Sequence, residues 1–172
     1  DNPAEVQNDL CLVSGADEVL VDAGGTVNKN TFTFTPDETG EYYVFVMNKK
    51  VKTVKAELPT GQTSFSNVDR GYLLELGTRA PGTEVKLTAD EAGEQLNAIA
   101  YRFSEDAMIQ VYDRLNQSPM HLTSWKDTKL SGTVSAAKAG MLFTSIPFDK
   151  GWTVKVDGEK METRKAFGAF LA

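Results

Sequence analysis

The chain has few of the residues that usually carry chemistry. It holds one cysteine, Cys11, and one histidine, His121, among 172 residues. A single thiol excludes an intrachain disulfide, and a catalytic thiol would need His121 as its partner. Cys11 lies in the apolar patch Asp9-Leu-Cys-Leu-Val13, so its reading is that of a small buried hydrophobe. One histidine with no partner at ligand spacing does not make a metal site. Gly-x-Ser-x-Gly and Gly-Lys-Ser/Thr patterns are missing, which removes the nucleophile elbow and the phosphate-cradling loop. No run approaches the about 18 apolar residues that a spanning helix needs. No signal peptide is present. No long basic run exists, which argues against a nucleic-acid partner. No catalytic residue, metal or cofactor is therefore expected.

What is present describes an ordinary globular chain. Apolar residues make 41% and charged residues 24%, outside the range of disordered segments. The net charge of −6 favours solubility. Length suits one domain or two very small ones, and nothing resembles a linker, so residues 1–172 read as a single domain with 1–28 as a lead-in. The chain begins at Asp1 and stops at Phe170-Leu-Ala172, where an apolar strand is still running. Both ends read as cuts in a longer protein.

Over the first hundred residues, short strands carry turn signals every eight to twelve residues. Thr31-Phe-Thr-Phe-Thr35 alternates strictly. Pro36 to Gly40 joins it to Glu41-Tyr-Tyr-Val-Phe-Val-Met47 as a first strand pair. The second strand is apolar on both faces and is expected to be central and doubly covered. Further strands are predicted over 51–58, 71–76, 84–88, 96–103, 129–136, 141–148 and 152–156, with 64–70 weakly structured. Asp157-Gly158 demands a type I′ hairpin. One helix interrupts the pattern near 104–117, with Ser104 before it and Pro119 beyond it. Ala107, Met108, Val111, Tyr112 and Leu115 form its apolar stripe. The expected fold class is mainly β, a β-sandwich or jelly roll with one inserted helix.

Four stretches carry a family resemblance: Asn2-Pro-Ala-Glu-Val-Gln-Asn8, Phe34 to Val46, Tyr72 to Gly77 with Pro81 to Leu87, and most of all Gly140 to Gly158 followed by Gly168-Ala-Phe-Leu171. They resemble the YfhO-type bacterial membrane proteins. That resemblance implies a β-rich domain on the extracytoplasmic face of the bacterial cell membrane. It implies a multi-spanning, glycosyltransferase-like parent that uses a lipid-phosphate-linked sugar to decorate surface polymers such as teichoic acid. The implied partners are the membrane-embedded remainder of that parent and a cell-surface glycopolymer. The family's acidic catalytic residues match no position here, so the role expected is architectural or acceptor-binding.

Three side chains are the binding candidates. Trp125 sits among polar residues and could stack on a sugar. Trp152 follows a glycine turn, but it shares an alternating face with Val154 and Val156, so a core position is the plainer reading. His121 is the lone imidazole. Asp37, Glu38 and Glu41, like Asp90, Glu91 and Glu94, could contribute to a calcium site, although turn chemistry explains both groups. Two alternatives stand beside the family reading. A free-standing carbohydrate-binding module requires an exposed aromatic platform. A small β-sandwich glycoside hydrolase requires two facing carboxylates about 5 to 9 Å apart.

Overall fold

A computed structural model describes residues 3–172. The chain is mainly β, with 40% of residues in strands and 14% in helices. It forms two compact units, one chiefly of residues 18–105, the other of residues 4–17 and 106–172.

Unit 1 contains β1 (Leu20–Asp22), β2 (Thr26–Asn28), β3 (Thr31–Phe34), β4 (Gly40–Val46), β5 (Thr53–Leu58), β6 (Gly61–Ser66), β7 (Leu73–Arg79), β8 (Val85–Ala89) and β9 (Ala98–Phe103). One antiparallel sheet has the order β1-β9-β4-β7, the other β2-β3-β8-β5-β6. Alternation explains how they meet. Phe32 and Phe34 of β3, Tyr42, Val44 and Val46 of β4, and Val85, Leu87 and Ala89 of β8 are buried, and every second residue is less so. Their inward faces form one cluster drawing on both sheets, which makes unit 1 a β-sandwich. The valine, leucine and phenylalanine side chains among them each contribute about 1.5 to 3 kcal/mol by leaving water.

β3 and β4 are both present, but they are not a pair. β3 pairs with β2 and β8, while β4 pairs with β7 and β9. Buried Pro36 lies in the segment that carries the chain from one sheet to the other, and the Phe34 and Tyr42 rings meet across the core at 5.8 Å. Both strands carry a large apolar face, and stacking buries those faces more fully than edge pairing could. β4 is central as expected, yet only one face is fully buried, with Tyr43 and Phe45 half-buried on the other. The weakly structured region over 64–70 instead holds the end of β6 and a 3-10 turn, Val68–Arg70.

Unit 2 contains two helices, α1 (Pro3–Ser14) and α2 (Glu105–Leu115), where the sequence pattern gave only the second. α1 opens on Pro3, whose fixed φ suits a first helical position, and Glu5 favours the positive end of the helix dipole. Gly15 ends it at φ 63°, its amide donating to the Cys11 carbonyl at 2.7 Å. The Arg114 guanidinium donates to the Ser14 carbonyl at 3.2 Å and to that of Gly15. Asp9 accepts a 2.7 Å bond from the Phe167 amide.

The rest of unit 2 is a set of hairpins: β10 (His121–Lys126) with β11 (Lys129–Thr133), β12 (Lys155–Val156) with β13 (Glu159–Lys160), and β14 (Lys165–Ala166) with β15 (Phe170–Leu171). The Asp157-Gly158 turn forms as expected, with φ 52° and 89°. No strand forms over 141–148. That segment runs beside β15 through Thr144, Phe148 and the Ile146 carbonyl, but Pro147 has no N–H to sustain a ladder.

Candidate functional site

β10 and β11 place His121 and Trp125 on one hairpin. Its two-residue turn is Asp127-Thr128, with Lys126 directly opposite Lys129. Simple alternation would put His121 and Trp125 on the same face. A bulge at Thr123 prevents this: Leu122 faces Gly132, but Ser124 faces Ser131. The register therefore moves Trp125 to the face of Leu122, Leu130 and Gly132, while His121 lies with Ser124, Lys126 and Lys129. Gly132 is fitted to this crossing, because a Cβ there would come within 2.6 Å of the His121 carbonyl oxygen.

The hairpin is thus amphipathic. Trp125 is 71% exposed and Leu122 52%, with Leu130 half-buried beside them. Sequence reasoning found Trp125 and His121 but missed Leu122, Leu130 and the lysine pair. Single-residue inspection cannot find them, since the bulge sets which side chains share a face.

Trp152 is elsewhere in unit 2. It follows a turn in which Asp149 accepts from the Gly151 amide at 2.6 Å and from the Trp152 amide, through its carbonyl, at 3.2 Å. The core position expected for Trp152 is not realised: the ring is half-buried and Val156 is exposed. The strand over 152–156 shortens to Lys155–Val156, so the alternating face has no sheet to lie on. Cys11 is likewise half-buried, accepting from Gln7 Nε2 at 3.1 Å, and no hydrogen bond joins it to His121 among the described residues.

The acidic groups serve unit 1. The Tyr42 hydroxyl donates to the Asp37 carboxylate at 3.2 Å and the Glu38 carbonyl at 3.0 Å. Glu38 pairs with Arg102 at 3.6 Å, and Thr78 donates to Glu41. Asp90 pairs with Lys55 at 2.6 Å, Glu94 pairs with Lys50 at 3.7 Å, and Glu91 accepts from the Thr53 amide at 3.2 Å. Among the described residues no three His, Cys, Asp or Glu converge to hold a metal ion. A concavity of about 600 Å³ is lined by Lys29, Asn30, Gly93, Glu94 and Gln95, with Glu94 its one carboxylate. Burial raises the pKa of Tyr42, Tyr43 and Tyr101 above the ordinary phenol value.

Charge divides the chain. Residues 1–119 carry ten bases and nineteen acids, net −9, whereas residues 120–172 carry eight bases and five acids, net +3. Lys155 stands directly opposite Lys160 in β12–β13, repeating the arrangement of Lys126 and Lys129. None of these four lysines forms an ion pair among the described residues, while Lys50, Lys55 and Lys86 of unit 1 do. Like charges directly opposite on a ladder repel.

Comparison with known proteins adds one match. The family described as bacterial membrane protein YfhO matches residues 16–172. No curated protein and no solved structure matches the chain.

Proposed function

Because the chain belongs to the YfhO family of bacterial membrane proteins, we propose that it is a non-catalytic extracytoplasmic domain of a multi-spanning parent. The observation that carries this reading is a membrane-protein family match over a region that folds as β units. Among the described residues, no helix is long and apolar enough to cross a membrane. Both units, residues 1–172, serve as one module beside the membrane-embedded remainder. The parent, on this reading, transfers sugar from a lipid-phosphate carrier to surface polymers such as teichoic acid. The module works by presentation: a rigid scaffold holds weak contacts close to the reacting centre, where tethering multiplies their effect.

Whether that role is purely architectural or extends to acceptor binding turns on Trp125, whose exposure favours a contact with something outside the fold. His121 lies on the other face of the hairpin and Trp152 on a different element, so a shared three-residue platform has no support. A free-standing carbohydrate-binding module would want such a platform. A glycoside hydrolase would want paired acids, and the concavity beside Glu94 offers one.

Two experiments test the proposal. Impermeant thiol labelling of the full-length parent, carrying a cysteine at Thr60 in unit 1, should report the outer face; labelling only after the membrane is opened would refute it. NMR titration of the chain with teichoic-acid fragments should move resonances on the β10–β11 hairpin if the role includes acceptor binding. A flat response to millimolar ligand would restrict the role to architecture.

A further inference from the structure

Unit 2 exposes most of the large apolar side chains that the fold leaves in water. Of thirteen such residues among those described, eleven lie in unit 2, with Met47 and Tyr72 in unit 1. The same unit contains the basic segment and the unneutralised cross-strand lysines. Both features meet in β10–β11. One face presents Leu122, Trp125 and Leu130, and the other presents Lys126 and Lys129 beside the turn.

This combination narrows the occupant. A sugar platform needs polar side chains beside the aromatic ring to hydrogen-bond the hydroxyls, yet Trp125 shares its face with two leucines and a glycine. A soluble polyanion would satisfy the lysines and leave the apolar face in water. Only an interface that is apolar below and anionic at its rim satisfies both. Tryptophan is enriched at the boundary between headgroups and acyl chains, and lysine extends its ammonium to the phosphate level while its stem stays apolar. The family is one of membrane proteins, and on the reading of the chain as a membrane-adjacent domain such a surface lies within its reach.

We infer that the β10–β11 hairpin docks on the anionic phospholipid surface, with Leu122, Trp125 and Leu130 entering the interfacial layer and Lys126 and Lys129 meeting lipid phosphates. The inference rests on the reading of the chain as a membrane-adjacent domain and adds to it the element that makes the contact. The Thr123 bulge and Gly132 are the devices that gather the apolar face.

The test uses the 172-residue chain with vesicles of phosphatidylcholine alone or mixed with phosphatidylglycerol. A Trp152→Phe background leaves Trp125 as the sole tryptophan. The expected result is co-sedimentation with the anionic vesicles, a blue shift of Trp125 emission, and quenching by lipids brominated near the headgroup. Lys126→Gln and Lys129→Gln should each weaken partition about fivefold, and added salt should weaken it further. Trp125→Ser should weaken it about tenfold. The charge-matched pair Lys52→Gln and Lys86→Gln in unit 1 should change it less than twofold, as those groups lie outside the hairpin. Unshifted Trp125 emission on anionic vesicles overturns the inference. So does equal loss in the hairpin and control variants, or a response of Trp125 to soluble teichoic acid with no vesicle partition. Thiol labelling of the parent reads its topology independently, so failure of the docking site and failure of the membrane-domain reading remain distinguishable.

Discussion

Unit 1 hides its apolar residues and unit 2 displays them. The seventeen-residue buried cluster, from Phe32 to Ala100, lies wholly in unit 1. Among the described residues of unit 2 the buried apolar ones are Ala16, Ala107, Val111, Ala166 and Leu171, three of them alanines with little area to remove from water. A second cluster, in which Phe143 meets Phe167 at 5.0 Å and Phe170 at 6.1 Å, is only half-buried. Their charges differ in the same way: Lys50, Lys55 and Lys86 of unit 1 find carboxylates, whereas Lys126 and Lys129, like Lys155 and Lys160, face one another in unit 2. Unit 1 holds its own buried core, whereas unit 2 leaves most of its large apolar side chains at least partly in water. That division of labour suits a module that must be rigid and must also be held against something.

The largest effect should come from breaking the scaffold. Tyr42→Ala removes a side chain with no exposure from the centre of the sandwich and should cost about 3 to 5 kcal/mol in urea unfolding followed by circular dichroism. Leu122→Ala, on the exposed hairpin, should stay within about 0.5 kcal/mol. Comparable losses from the two would remove the contrast between the units.

Alkaline pH probes the same ring without truncating it. Burial raises the pKa of Tyr42 above 10.0, so the fold favours the protonated phenol. The sign follows: the stabilisation is complete below about pH 10 and is lost as pH rises through the folded-state value. Tyr42→Phe should cost about 1 kcal/mol near neutrality, through the lost bonds to Asp37 and Glu38, and should flatten the alkaline decline. A decline of unchanged slope in that variant would assign it to Tyr43, Tyr101 or another group.

The contrast also explains which parts were legible from sequence. β3 and β8 announce themselves because the sandwich buries alternate residues, and alternation is visible in a single chain. Pairing was not visible: the two strands flanking Pro36 read as a hairpin because proximity in sequence cannot separate edge pairing from stacking. In unit 2 the local turn chemistry of Asp157-Gly158 was readable, since two positive φ values leave little choice of residue. The strand expected over 141–148 was not realised, because Pro147 has no N–H to extend the few bonds the segment makes to β15 into a ladder. The apolar stripe on α2 was read correctly as a stripe, but only Ala107 and Val111 of it are buried, and Tyr112 is 67% exposed. α1 was missed because its ends, Pro3 and Gly15, carry the signal and its middle does not. For the candidate site, Trp125 was legible as an exposed aromatic, and the bulge that groups it with Leu122 was not.

A smaller effect isolates the turn of β12–β13. Gly158 at φ 89° tolerates no Cβ without strain, and Gly158→Ala should cost about 1 kcal/mol. Amide exchange should quicken across Lys155–Lys160 and stay unchanged in β4 and β8. Quickened exchange in unit 1 would mean that the hairpin's strain is felt beyond its own unit.

The smallest effect differs in sign between the units, which makes it the sharpest comparison. In unit 1, Lys86 pairs with Glu57 at 3.2 Å, and both side chains are about half in water. Lys86→Glu should therefore destabilise by a few tenths of a kcal/mol, within the range of about 0.2 to 1 kcal/mol for exposed pairs. In unit 2, Lys126 faces Lys129, so Lys126→Glu turns a cross-strand repulsion into an attraction. That change should stabilise the hairpin by a similar few tenths, read as slower amide exchange at Trp125 and Leu130. The same variant should bind anionic vesicles less well than Lys126→Gln, because it places a negative charge at the phosphate level. Gain in hairpin order together with loss of lipid affinity would mean that the lysine pair is kept for its partner and against its own fold. Loss of both would mean that the lysines already stabilise the hairpin in water, and the contrast between the units would then rest on their cores alone.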